Sequence, residues 1–276
     1  VADFYKGTIP ILDSDGPTTD VTHPTGVKFG LVARDYAKYP ATMFAQPSEL
    51  QVIPESEWDA RYDEQEATQS SLEHIYLSGP NGEPAFVNLD QDGDGHCWCY
   101  STGHSIMLDR LRRNLPPVRL NPHCIAAIMK ELQGGWCGAS AKFARANGVA
   151  VEGNGPGQWP KWSNNTKYDT PECRAEMALY KIEEDWVDLT KQVYDQNLTR
   201  GQVATCGFTN TPVPSDFNFW SHSVCQVRWV RIEKGSWGPL ILNSWLNWGR
   251  HGLGVLRGKQ ATCNGAVATR LTTASG

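Results

Sequence analysis

No cysteine precedes position 97. All eight (Cys97, Cys99, Cys124, Cys137, Cys173, Cys206, Cys225 and Cys263) lie from there on, with no C-x-x-C pair among them. The spacing therefore gives no pointer to a cysteine-ligated zinc site or a thioredoxin-type redox pair, and neither is expected. The spacings are irregular and 276 residues suffice for a buried core without staples, so mostly free, buried thiols are expected. No apolar run reaches membrane-spanning length, and the first thirty residues show no basic start followed by a long apolar stretch. The expectation is a soluble chain with no membrane partner, cytoplasmic or part of an assembly such as a virion in preference to secreted. Positive charge is in deficit, 25 Lys and Arg against 30 Asp and Glu, which gives no reason to expect nucleic acid as a partner. Gly 26 and Pro 17 are too few for a fibrous or low-complexity chain, and 40% hydrophobic residues is an ordinary globular content. No internal repeat is visible.

What is present is a charge asymmetry. Residues 1–96 hold 17 acidic and 5 basic side chains, whereas residues 97–276 hold 13 and 20. Either each part has its own solvated surface or an acidic segment lies against a basic body. Residues 1–76 mix short apolar pieces with turns such as Asp13-Ser14-Asp15-Gly16-Pro17, with helical periodicity only over Glu55 to Ile75. They read as an acidic N-terminal arm. Residues 77–180 read as a helical lobe. One helix is predicted over Cys97 to Arg113, a second from Asn121-Pro122 to about Leu132, and a third closed by Asn147-Gly148. Residues 153–171 read as an ordered loop whose Trp159 and Trp162 cover a core. Residues 181–276 read as a β-rich lobe, with strands predicted at Gln202–Phe208, Val224–Glu233, Leu240–Asn243 and Gly252–Leu256. Helices first and strands later make an α+β fold of two lobes, and a groove between lobes is a usual place for a site.

Cys97 stands at the start of its helix, where unpaired N–H groups and the dipole favour a thiolate. Gln91, in Gln91-x-x-x-Gly95-x-Cys97-Trp98, is near enough to supply an amide to an oxyanion. His222 opens a strand and Asn243-Ser244-Trp245 ends another, so a Cys, a His and an Asn can meet across a groove. Competing readings are a buried structural thiol for Cys97, and His96 or His104 as the base.

Four blocks in this order resemble the papain family of cysteine proteases: Gln91 to Ser101, Gly134-Gly135-Trp136, Ser221-His222-Ser223-Val224, and Asn243-Ser244-Trp245 leading to Trp248-Gly249. The resemblance covers roughly residues 88 to 260 and implies a helical lobe, a β-barrel-like lobe and a substrate groove between them. It implies Cys97 as nucleophile, His222 as general base, Asn243 as the group orienting the imidazole, and Gln91 with the Cys97 N–H as the oxyanion hole. Trp245 would shield the His–Asn bond. Gly134, Gly135, Trp136, Trp245 and Ser221 would bind an extended peptide. No cofactor is implied. The chain departs from the family at Asp94, where a disulfide-forming cysteine is usual, and in its shortened Trp245–Trp248 spacing, with Leu246 in place of a glycine.

Asp90, Asp92 and Asp94, with Gly95 sixth, also fit the opening of a calcium loop, although position twelve is Ser101 rather than glutamate. The same carboxylates oppose a thiolate at Cys97. The leading reading is a peptidase acting on peptide or protein substrates. The alternatives are a weakly active or inactive papain-like scaffold within an assembly, docked through its arm, and a thiol hydrolase on another amide.

Overall fold

The structure, a computed structural model, describes residues 9–15, 30–32, 51–182, 186–188, 196–245 and 247–269. Its helices are α1 (Trp58–Thr68), α2 (Leu72–Tyr76), α3 (Cys97–Arg112), α4 (His123–Met129), α5 (Cys137–Asn147), α6 (Pro171–Met177) and α7 (Gln196–Phe208). Its strands are β1 (Ile11–Asp13), β2 (Trp186–Asp188), β3 (Val213–Phe217), β4 (His222–Glu233), β5 (Ser236–Leu242), β6 (Leu253–Arg257) and β7 (Gly265–Thr269). The strands form one sheet in the order β1-β6-β5-β4-β3-β7-β2. All neighbours are antiparallel except β1, which joins β6 in parallel with Ile11 opposite Val255.

β4 is the central strand, and its first ten residues are buried in succession, with α1, α2, α3 and α7 packed against it. Gly235 (φ 71°) turns it into β5, with Glu233 opposite Ser236. α3 is buried over its first twelve residues, Cys97 to Leu108, and packs against β3, β4 and α5. A Cβ on Gly103 would lie 2.4 Å from the Pro122 ring, so α3 and the entry to α4 meet only because position 103 has no side chain. The second predicted helix is thus α4, with the Asn121 carboxamide accepting the His123 N–H at 3.2 Å and Lys130 (φ 60°) ending it. The third is α5, closed at Gly148 (φ 86°).

The stretch predicted as a strand, Gln202–Phe208, is instead the C-terminal half of α7. Its β-branched residues suggested a strand. The segment is buried all along 202–208 against β4, and Gly207 brings its backbone onto that of Arg228 (2.9 Å from a hypothetical Cβ), so tertiary packing overrides propensity. Trp159 is fully buried as expected, whereas Trp162 is 38% exposed and donates its indole N–H to the Asp90 carbonyl at 2.8 Å. All eight cysteines are free and buried.

The acidic helix α1 lies on basic strand β4. Trp58 and Tyr62 pack into an aromatic group with Phe208, Trp229 and Trp237, while Arg231 reaches Asp59 (2.7 Å) and Asp63 (2.8 Å). Arg228, fully buried, pairs with Glu66 (2.8 Å) and with Glu73 of α2 (3.1 Å). The charge asymmetry of the sequence is therefore, over α1 and α2, an acidic surface seated on a basic one. No helix among the described residues is long and apolar enough to cross a membrane.

Candidate active site

Cys97 is the first residue of α3 and has no exposed surface. Its sulfur faces the backbone N–H of Ser223, the residue after His222, and the backbone N–H of Gly30. Both contacts favour a thiolate, but burial outweighs them and pushes the thiol up to about 12, with the buried carboxylate of Asp216 adding to the rise. The helix start was expected to yield a thiolate. In this conformation the thiol is neutral because the site is covered. The acid set against it is Asp216 of β3, which also accepts the Cys137 N–H at the start of α5 through both oxygens at 3.2 Å.

His222 begins β4 and Asn243 follows β5. Nε2 of His222 lies 2.8 Å from the Asn243 carboxamide oxygen, both side chains being fully buried. The sheet sets this pair: Cys225 lies opposite Leu242, which brings the start of β4 beside the end of β5. The indole of Trp245 stacks on the imidazole, centroids 4.4 Å apart and planes 27° from parallel, and Trp220 closes on the same ring at 4.7 Å. The Asn243 backbone is held from both sides, its N–H by the Gly252 carbonyl (2.8 Å) and its carbonyl by the Asn88 amide (2.8 Å). His104, on α3, is the partner of Asn88 (2.9 Å) and lies in that support. Asn243 keeps its aim on His222 despite the shortened loop behind it, which turns through Asn247 (φ 63°) and Gly249 (φ 57°); Leu246 lies outside the described residues.

Gln91 is buried on the loop before α3. Its side-chain oxygen accepts the Ser244 hydroxyl at 2.6 Å, and its amide nitrogen donates to the Asp94 carbonyl at 2.6 Å. A second bond, Gln91 N–H to the Ser244 carbonyl (3.0 Å), ties this loop to the residue after Asn243. Ser244, which lies within the motif block Asn243-Ser244-Trp245, is thus the residue that holds the Gln91 carboxamide. Nothing in sequence spacing marks a hydroxyl that acts through a distant glutamine.

Gly134, Gly135, Ser221 and Gly95 converge on one feature the sequence did not reveal, the extended segment Gly30–Val32. Gly135 donates to the Gly30 carbonyl and accepts from Val32, both at 2.9 Å, in a parallel bridge centred on Leu31. Leu31 donates to the Ser221 carbonyl at 3.3 Å, where Ser221 adopts a left-handed φ of 48°. A Cβ on Gly30 would fall 1.9 Å from the Gly95 carbonyl oxygen, so only glycine can sit there. Gly135 is equally constrained, with the Trp98 ring 2.6 Å from its hypothetical Cβ. Trp136 is buried with its ring over Gly138.

The three aspartates suggested as a calcium loop do not converge. The left-handed turn at Asp92 (φ 48°) and Gly93 (φ 81°) separates them: Asp90 accepts the Asp92 N–H (3.1 Å), while Asp94 turns to His123 Nε2 at 2.9 Å. Among the described residues the side chains placed to share an ion are Asp94, His96 and His123. Burial, then the neighbouring His123, pulls His96 down to about 4, so neither this ring nor His104, which burial lowers to about 3, carries charge at neutral pH.

No protein-family model matches this chain, and no curated protein matches it in sequence. Solved structures do match in shape. Xylellain, a cysteine protease from Xylella fastidiosa, superposes with a TM-score of 0.55 at 15% identity, over 89% of this chain and 97% of that one. Recombinant stem bromelain precursor gives 0.54 at 13% identity, over 92% and 87%. The bromelain protease from Ananas comosus, in complex with the E64 inhibitor, gives 0.50 at 14%, over 68% and 94%. The fold of this chain is the papain-like α+β fold, a helical lobe against a β-rich one.

Proposed function

We propose that this chain is a papain-like cysteine peptidase that hydrolyses peptide bonds through Cys97, His222 and Asn243, held closed here by its own Gly30–Val32 segment. The observation that carries the reading is the His222–Asn243 bond of 2.8 Å under a stacked indole, with the helix-start thiol of Cys97 against the N–H of Ser223, the residue after His222. With Nε2 committed to Asn243, Nδ1 is the nitrogen that takes the Cys97 proton. The sulfur attacks the substrate carbonyl carbon, and the oxyanion is met by the Cys97 N–H and the Gln91 amide. Collapse forms the thioester and expels the amine, which leaves with the proton from the imidazolium. Water, deprotonated by His222, then cleaves the thioester, releasing the acid and restoring the thiol.

Gly30–Val32 lies in the groove without being a substrate: what it turns toward the sulfur is the Gly30 N–H, not a carbonyl carbon. Gly135 holds it by backbone alone, as it would an extended peptide, and Gly134 lets it approach by having no side chain. The fully covered thiol is also the observation that favours the second reading, an inactive scaffold. Removing residues 1–76 would not separate the two, because it strips β1 from the sheet and α1 from Arg228 and Arg231. Gly30→Val is the cleaner opening. An epoxide thiol trap followed by intact-mass spectrometry should label Gly30→Val once per chain, and not Gly30→Val with Cys97→Ser. A folded Gly30→Val chain whose Cys97 stays inert would overturn the peptidase reading in favour of the scaffold.

A further inference from the structure

We propose that Asp94, His96 and His123 form a binding site for one divalent transition-metal ion, zinc above all, which staples the loop before Cys97 to α4. The three ligand atoms already lie within 4.8 Å of one another. A tetrahedral zinc site, with bonds of about 2.0–2.1 Å, needs ligand atoms about 3.4 Å apart, so the widest gap closes by about 1.4 Å. Side-chain rotation covers that distance.

Each residue brings a separate reason. His96 is 1% exposed and its Nδ1 is buried with no hydrogen-bond partner, an orphaned acceptor or donor that an ion would satisfy. His123 is fully buried, and its far nitrogen, Nδ1, is anchored 2.7 Å from the Tyr100 hydroxyl, which aims Nε2 at Asp94. Metal-binding histidines are oriented by such a bond on the opposite nitrogen. The rings stand edge to face, 4.6 Å between centroids, leaving the nitrogens free of a stacking requirement. Asp94 is the open side, its side chain 45% exposed, so water can complete the coordination. Two imidazoles and one carboxylate suit zinc, and not calcium or magnesium, which prefer oxygen throughout.

The position gives the ion a role. Asp94 stands where the resemblance placed a disulfide cysteine, and an ion across Asp94 and His123 restores a staple of another chemistry. The Asp94 carbonyl holds the Gln91 amide (2.6 Å), Gly95 is the seat of Gly30, and His96 adjoins Cys97. Fixing this loop fixes the oxyanion donor and the surface against which the covering segment packs. The site does not depend on whether the chain cleaves peptides.

The test uses the full chain with Cys97→Ser, so that no thiol beside the loop competes. Titration calorimetry with zinc chloride should show one equivalent per chain, and cobalt(II) should give the visible absorption of a four-coordinate ion with nitrogen and oxygen ligands. Zinc should also raise Tm. Asp94→Asn, a substitution at a half-exposed position, should keep the circular dichroism of the parent while weakening zinc binding by at least the roughly 10-fold that loss of a mere orienting partner costs. His123→Gln should do the same where it folds. Absence of zinc uptake by the parent, or equal uptake by a folded Asp94→Asn chain, would overturn the proposal.

Discussion

The two sides of the groove are built differently. The His222–Asn243 side is set by paired strands, locked by Gly252 and Asn88 on the Asn243 backbone, and roofed by Trp245 and Trp220. The Cys97 side hangs on a loop of left-handed turns, Asp92 and Gly93, whose hydrogen bonds run to Ser244, Asp94 and His123. Gly30 itself meets the second side, at Gly95 and at the sulfur, while Leu31 beside it reaches the first side only through the Ser221 carbonyl. On the reading proposed above, the base is thus finished in advance, and the state of the Cys97 thiol is decided by what lies on top of it.

That contrast predicts its largest effect at Gly30. A thiol held at about 12 is about 10⁻⁵ ionised at pH 7, whereas one near 8.5 is about 3 × 10⁻² ionised. Gly30→Val cannot seat against the Gly95 carbonyl, so its Cys97 should alkylate with iodoacetamide about 10³-fold faster at pH 7. The pH course separates the two chains further. Burial raises the pKa, so the parent rate should climb tenfold per pH unit without levelling below about pH 12, while the variant should level near or below an ordinary thiol pKa. Equal rates with equal pH courses would mean that Gly30 does not govern the thiol.

The two sides also differed in how far they could be read beforehand. β4, β5 and β6 carry long buried runs, and the strand pairing that follows from them puts His222 beside Asn243. The cover at Gly30 left no trace, because a backbone bridge between residues over a hundred positions apart uses no side-chain pattern. β3 and β7 escaped notice for a local reason, since Pro214, Asp216 and Gly265 are poor strand formers whose places are set by pairing with β4 and with each other. Asp94 could be read as a calcium ligand because alternation along the loop looks the same whether or not a left-handed turn intervenes. Only the position of His123 on α4 decides where that carboxylate goes.

A smaller effect belongs to the finished side. Asn243→Ala removes the acceptor of His222 Nε2 while the stacked Trp245 keeps the ring in place, so kcat/KM on a fluorogenic peptide should fall about 10²-fold. Measured in the Gly30→Val background the fall should be the same, because Asn243 bonds to His222, Gly252 and Asn88 rather than to the covering residues 30–32. A loss that shrinks tenfold or more once the groove is open would show that the two sides are coupled, contrary to the comparison.

The smallest effect tests the join between the sides, where Ser244 follows Asn243 yet holds Gln91. Its hydroxyl donates to the Gln91 oxygen, which leaves the amide nitrogen pointing away from it, toward the Asp94 carbonyl and the thiol loop. A hydrogen bond of this kind is worth about 1 kcal/mol, so Ser244→Ala should lower kcat about fivefold with KM little changed, if the amide serves the transition state alone. A structural role would give a similar loss, and the double variant distinguishes them. Gln91→Ala should cost about 10²-fold. Ser244→Ala added to it should cost nothing more, because a residue that acts only through another has nothing left to act on. A full additional fivefold loss would place Ser244 in the support of Asn243, and the loop before Cys97 would then owe its aim to Asp94 and His123 instead.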